Sequence, residues 1–224
     1  MELSITIVII IITVLVSIGA FNNEKTMDEL IFYPPAVTNR NQWYRFFSCG
    51  LIHADWGHLI FNMLALYLFG QKVELYFAEI FGTTGKILYL VMYITALAVS
   101  VLPTYFKHKD DYHYRSLGAS GAVSAVVFAG ILFDPISGIG LFFIPIYVAG
   151  FIFGFIYLLI TSYLDKKGGD RINHSAHLWG AFYGIAFTIL VARIFSDYAV
   201  VAGFLNQIRN TDPSDFIKFG GSAF

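Results

Sequence analysis

Cysteine is almost missing from this chain: Cys49 is the only one in 224 residues. A single thiol excludes an internal disulfide framework and any CxxC metal site, and it reads as a small, inert packing residue near a membrane surface. Charge is scarce too. Lys, Arg, Asp and Glu make up 13% of the sequence, against ~25% in an average soluble domain, too few to cover a water-facing surface. The 14 basic and 15 acidic residues leave a net charge of −1, which gives no footing for nucleic-acid binding. No HExxH pair occurs and no carboxylate accompanies the imidazoles of His53, His58 and His177, so no metal site and no cofactor are expected. Gly169-Asp170 lacks the second buried aspartate that an aspartyl intramembrane protease needs. What fills the chain instead is apolar: 57% hydrophobic residues, 18% of the sequence being aromatic.

The apolar residues fall into six runs of about membrane-spanning length, at roughly 4–20, 58–73, 84–103, 118–133, 141–163 and 175–195. A ~30 Å hydrocarbon core takes about 20 such residues in helical form, with ~17 as the lower end. Lipid cannot satisfy open backbone groups, so these spans are expected to be helices. The expected fold class is therefore an all-α, six-helix, multi-pass membrane protein, one domain over residues 1–195 followed by a tail at 196–224 with no clear span. Met1-Glu2-Leu3-Ser4 carries no basic residue before the first apolar run, so that run is read as a retained span rather than a cleaved signal. Pro103 is expected to stop the third span and Asp134-Pro135 the fourth.

The segment at 21–57 is long for a connector, and loops beyond ~12–15 residues are often functional. It interleaves Trp43, Tyr44, Phe46, Phe47 and Trp56 with Arg40, Arg45 and Asp55, a composition that suits a loop half-submerged in one leaflet. In the fifth span, Phe142, Phe143, Tyr147, Phe151, Phe153 and Phe155 read as lipid-facing, with a movable gate as the alternative. His108, His113 and His174 are expected in solvated loops. With a cytoplasmic N-terminus, the inside segments carry Lys72, Lys86, Arg193, Arg209 and Lys218, whereas the outside ones carry Lys25, Arg40, Arg45, Lys107, Lys109, Arg115, Lys166, Lys167 and Arg171. The positive-inside rule favours the reverse orientation.

Polar side chains inside spans are expensive and mark functional candidates. Four stand out. His58 and Asn62 are four residues apart and share a helix face. Ser120 stands among Gly118, Ala119 and Gly121 at the start of the fourth span, and His177 near the start of the sixth. All three spans begin at the same membrane face, so the four residues can share one site. A serine hydroxyl becomes a nucleophile when a base takes its proton, and His177 can be that base. The oxyanion formed by acyl transfer needs donors; His58, Asn62 and the Ser120 backbone N–H at a helix N-terminus can supply them. No aspartate is placed to orient His177, which points to a dyad. Gly180 and Gly184, with Gly121 and Ala125 opposite, form the small faces that let two helices approach closely.

These motifs resemble the rhomboid family of intramembrane serine proteases. Gly118-Ala119-Ser120-Gly121 is similar to the family's GxSG, Ala176 to Gly184 to its AHxxGxxxG, and His58 to Asn62 to its HxxxN. Tyr44-Arg45 looks like a variant of a Trp-Arg loop motif, and His53 has a counterpart that structures the loop and water access. The resemblance covers about residues 1–195. It implies a rhomboid bundle in the cell (inner) membrane, with Ser120 as nucleophile, His177 as general base, and His58, Asn62 and Ser120 as oxyanion donors. His53, Gly118, Gly121 and Arg45 are implied as supporting residues. It further implies single-pass membrane proteins as substrates, cut after a small residue, and a site opening to the non-cytoplasmic side, against the charge count. Some members carry an aromatic ring four residues after the serine, against the base; here Ser124 stands there. The alternative is a catalytically inactive rhomboid-like protein that binds membrane clients.

Overall fold

The structure, a computed structural model, describes residues 4–140, 145–169 and 172–219. Among these the chain is mostly helical. A first long helix, α1 (Ile5–Phe21), leads into three short ones, α2 (Glu24–Leu30), α3 (Pro34–Arg40) and α4 (Arg45–Ser48). Then come α5 (Trp56–Phe81), α6 (Gly85–His108), α7 (Ser120–Phe133), α8 (Gly150–Lys167), α9 (His174–Phe195) and α10 (Val200–Asn210). A small antiparallel sheet orders β1 (Gly138–Gly140), β2 (Ile146–Ala149) and β3 (Ile217–Phe219), with Gly138 opposite Ala149 and Tyr147 opposite Lys218.

The bundle forms around α7. That helix is apolar all round, which is what a helix buried on every side requires; Ala122, Ala125, Val126 and Ala129 have no exposure. α5, α6 and α9 pack against it, and α1 packs outside α5. The outer faces are greasy: Leu15, Ile60, Phe61, Leu75, Ile87, Phe155 and Leu190 are exposed. Apolar surface on this scale faces lipid in a membrane protein. Two helical runs are long and apolar enough to cross a membrane, 56–108 and 174–195. The first is folded at Gly82, whose φ is +58°, into the α5–α6 pair. Ile5–Phe21 and Ser120–Phe133 are apolar but shorter.

Glu74 of α5 anchors the first helix. Its carboxylate accepts from the N–H groups of Ile5 (2.9 Å) and Thr6 (3.0 Å) and from the hydroxyls of Ser4 (2.6 Å) and Thr6 (2.9 Å). A carboxylate at a helix N-terminus satisfies orphan donors and meets the positive end of the dipole. The Thr6 and Tyr89 hydroxyls, 2.9 Å apart, bring in α6.

Several sequence expectations need correction. The fifth span does not start at 141: residues 146–149 form β2, and the helix runs Gly150–Lys167. The β-branched and aromatic Ile146-Tyr147-Val148 favour a strand once β1 and β3 pair with it. Of the aromatics assigned to lipid there, Phe155 is exposed, but Phe151 packs on Phe216 and Phe153 on Tyr157, and Tyr147 lies on β2; Phe142 and Phe143 lie outside the described residues. Pro103 does not end the third span, since α6 continues to His108. The lost hydrogen bond is offset beyond it, where Thr104 bonds Asn173 and Tyr105 packs edge-on to Phe46. His174 is buried in the first turn of α9 rather than solvated. Within the tail, α10 is tied to the end of α7 by Gln207 Nε2, which donates to the Phe133 carbonyl at 2.9 Å.

Candidate active site

Ser120 is the first residue of α7, and no side chain caps that helix, so its leading backbone N–H groups are available as donors. The chain reaches Ser120 through Gly118, which has φ +113°, a conformation only glycine adopts freely. A methyl group there would also stand 2.6 Å from Cε1 of His58. The Gly118 N–H donates to the Cys49 carbonyl at 2.9 Å, pinning the turn to the loop.

His177 lies in the first turn of α9, and its Nε2 is 2.7 Å from Ser120 Oγ. The glycines explain how two helices come that close. A Cβ on Gly180 would strike the backbone carbonyl of Gly121, and one on Gly184 that of Ala125. The helices thus meet backbone to backbone, with His177 about one turn before Gly180 on α9 and Ser120 directly before Gly121 on α7. No hydrogen bond joins His177 to a carboxylate among the described residues.

His58 and Asn62 come to the same place from α5. Asp55 caps that helix, accepting from the His58 N–H at 2.8 Å. The Ala54 N–H points at His58 Nδ1, 3.5 Å away, which assigns the ring proton to Nε2, the atom facing Gly118. Asn62 Nδ2 donates to the His58 carbonyl at 2.9 Å and keeps a second N–H. Asn62 and Ser120 line one open cavity of about 320 Å³, together with Phe61, Val123, Phe153 and Tyr157. A neighbouring cavity of about 310 Å³ shares Phe61, Ala65 and Phe69 with it and runs to Lys72 and Asp134.

The supporting residues have defined partners. His53 is fully buried. Its Nδ1 is 3.0 Å from Ser17 Oγ, which donates its own proton to the Leu51 carbonyl at 2.9 Å. Nδ1 must therefore carry the proton, leaving Nε2 to accept the Ala119 N–H at 3.4 Å. The neutral ring ties α1 to the residue before Ser120, and burial, aided by nearby His58, holds its pKa down at about 3. Arg45 organises the loop from beneath: Nη1 donates to the carbonyls of Asp28 (2.8 Å) and Ile31 (2.6 Å), and Nε to Gln42 (2.6 Å). Trp43, Tyr44, Phe47 and Trp56 point outward from it. Cys49 is buried, which pushes its thiol up to about 12 and makes it unreactive.

Three side chains here have partners that sequence reading did not give. Ser124 does not face the base; its hydroxyl meets Tyr157 of α8 at 3.0 Å. The ring edge-on to His177 is that of His174, 6.0 Å away. Asn173 caps α9; an asparagine just before the apolar run was a visible N-cap signal.

Residues 40–194 match the family model described as a Rhomboid domain. Among curated relatives, "RHOMBOID-like protein 12, mitochondrial" of Arabidopsis thaliana is 34% identical over 58% of this chain and 40% of its own length. "Putative rhomboid protease YdcA" of Bacillus subtilis is 27% identical over 73% of this chain and 74% of its own. "Rhomboid protease GlpG" of Haemophilus influenzae is 22% identical over 76% and 81%. The chain spans less than half the length of two of the Arabidopsis relatives it matches, 40% and 45%.

Proposed function

Because this chain belongs to the rhomboid family, we propose that it is an intramembrane serine endopeptidase working through a Ser120–His177 dyad. The observation that carries this reading is the 2.7 Å contact between His177 Nε2 and Ser120 Oγ, a nucleophile already joined to its base. An inactive client-binding relative has no need of that pairing.

In this reading α1, α5, α6, α7, α8 and α9 are the six spans, and the loop from Asn22 to Asp55 lies half in one leaflet with its aromatics at the interface. α7 has 14 residues, about 21 Å at 1.5 Å per residue, less than the ~30 Å hydrocarbon core. In this reading the shortfall lies at the Ser120 end, so that the serine sits below the membrane surface and water enters from the loop side. The substrate is a transmembrane segment of another protein, and the apolar cavity beside Ser120 receives it.

Ser120 Oγ attacks the scissile carbonyl carbon as its proton passes to His177 Nε2. The oxyanion is met by the His58 Nε2–H, the second N–H of Asn62 and the Ser120 backbone N–H. Collapse expels the amine, which takes the proton from His177 and leaves an acyl-enzyme on Ser120. A water molecule, deprotonated by His177, then attacks the acyl carbon, and His177 returns that proton to Ser120 Oγ as the new carboxyl end leaves.

Purified protein in detergent is expected to cleave a model transmembrane substrate and to be labelled by a fluorophosphonate probe. Ser120→Ala and His177→Ala should abolish cleavage, and Asn62→Ala should lower kcat by ~10²–10³, the usual loss for one oxyanion donor. Cleavage that persists in Ser120→Ala removes the assignment.

A further inference from the structure

We propose that Asn173 is a positioning residue of this site: its side-chain amide ties the start of the His177 helix to α6 and to the segment that delivers Ser120. The proposal rests on the protease reading above. Asn173 precedes α9, and its Oδ1 accepts from the Ala176 N–H at 3.0 Å. That bond alone is an ordinary helix cap, which serine, threonine or aspartate would supply equally well. Two further bonds go beyond capping. The same Oδ1 accepts from Thr104 Oγ1 of α6 at 3.0 Å, and Nδ2 donates toward Ser116 Oγ at 3.5 Å. A side-chain amide offers an acceptor and a donor on one rigid plane, which serine, threonine and an ionised aspartate do not.

The partners connect directly to the two reacting residues. The His177 N–H points at the Asn173 carbonyl, 3.4 Å away, so His177 hangs from the turn that Asn173 begins. Ser116 stands two residues before Gly118. On its other flank it exchanges both backbone hydrogen bonds with Phe32, at 3.0 and 3.1 Å. The chain approaching Ser120 is thus held from one side by the loop and from the other by Asn173. Asn173, Ser116 and Ser120 line one small cavity of about 20 Å³ together with Leu97 and Val101, room for about one water, so the clamp and the nucleophile border the same space. Thr104 is buried, which gives the clamp a fixed base. First turns fray where they lack partners, and the base sits in this one. A shift of 1 Å at a dyad is enough to lose ~10² in rate.

The experiment compares Asn173→Ser, Ser116→Ala and the double variant with the intact chain in detergent. Serine keeps the cap but is too short to reach Thr104 and Ser116. Expected for Asn173→Ser are a kcat at least tenfold lower, KM within twofold, a matching slowdown of fluorophosphonate labelling, and a Tm within a few degrees of wild type. Ser116→Ala should lose rate in the same way, and the double variant no more than the worse single, since both remove one linkage. Wild-type kcat in both single variants overturns the proposal while leaving the protease reading intact, as does a rate loss fully accounted for by a lower folded fraction. Wild-type protein that neither cleaves nor labels overturns the protease reading and this proposal with it.

Discussion

At the scale of single residues, protonation states follow from neighbours. His53 can hold Ser17 and Ala119 together only as a neutral ring, because a proton on Nε2 would leave the Ala119 N–H facing a donor. Its pKa lies at about 3, down from an ordinary 6.5. The unfolded chain takes up a proton below pH 6.5 that the folded ring resists, so this stabilisation is complete above 6.5 and is lost as pH falls from 6.5 toward about 3. Thermal unfolding followed across that interval should show a falling Tm. His53→Gln should start lower at neutral pH and fall less steeply; an equal slope would count against the assigned role. The sequence made His53 visible as a polar group beside a span. It could not show Ser17, thirty-six residues earlier, as its partner.

Among elements, the contact between α7 and α9 matters most. Gly180→Val would drive a side chain into the Gly121 backbone and push α9 away from α7. Overpacking of this kind costs roughly 1–3 kcal/mol, and the Ser120–His177 distance opens with it. Cleavage should drop by about 10² or more in an assay of the purified variant. Gly19 offers the contrast, since a Cβ there meets nothing within 4 Å. Gly19→Ala in α1 should be neutral or stabilising by up to ~1 kcal/mol, with activity retained. Helices were legible from apolar runs, and the small-residue spacing of α9 showed that something would pack closely against it. The ends were less legible. Pro103 does not break α6, and Ile146 to Ala149 leave the fifth run for a sheet, because tertiary partners outweigh local propensity in both places.

For the whole molecule, α1 depends on a few polar bonds, since hydrophobic burial contributes little between helices in lipid. Glu74 makes four of them to the start of α1. Glu74→Ala should destabilise the protein by roughly 2 kcal/mol, taking ~0.6 kcal/mol per hydrogen bond in a membrane. The check is a denaturation midpoint in detergent, with the Ser120 site still reactive toward the probe in the folded fraction; an unshifted midpoint would mean that α1 is held by packing alone.

The sequence by itself determined that this chain is a membrane protein with helical spans, and it marked Ser120, His177, His58 and Asn62 as polar groups too costly to stand in lipid without purpose. That follows from period, composition and spacing, which are local. Only the tertiary structure decided that Ser120 and His177 meet at 2.7 Å, that Ser124 turns to Tyr157 instead of the base, and that Asn173 bridges three segments. Each of these depends on the angle and distance between elements far apart in the chain, and those are set by packing contacts, backbone against backbone at Gly180 and Gly184, that no single segment encodes.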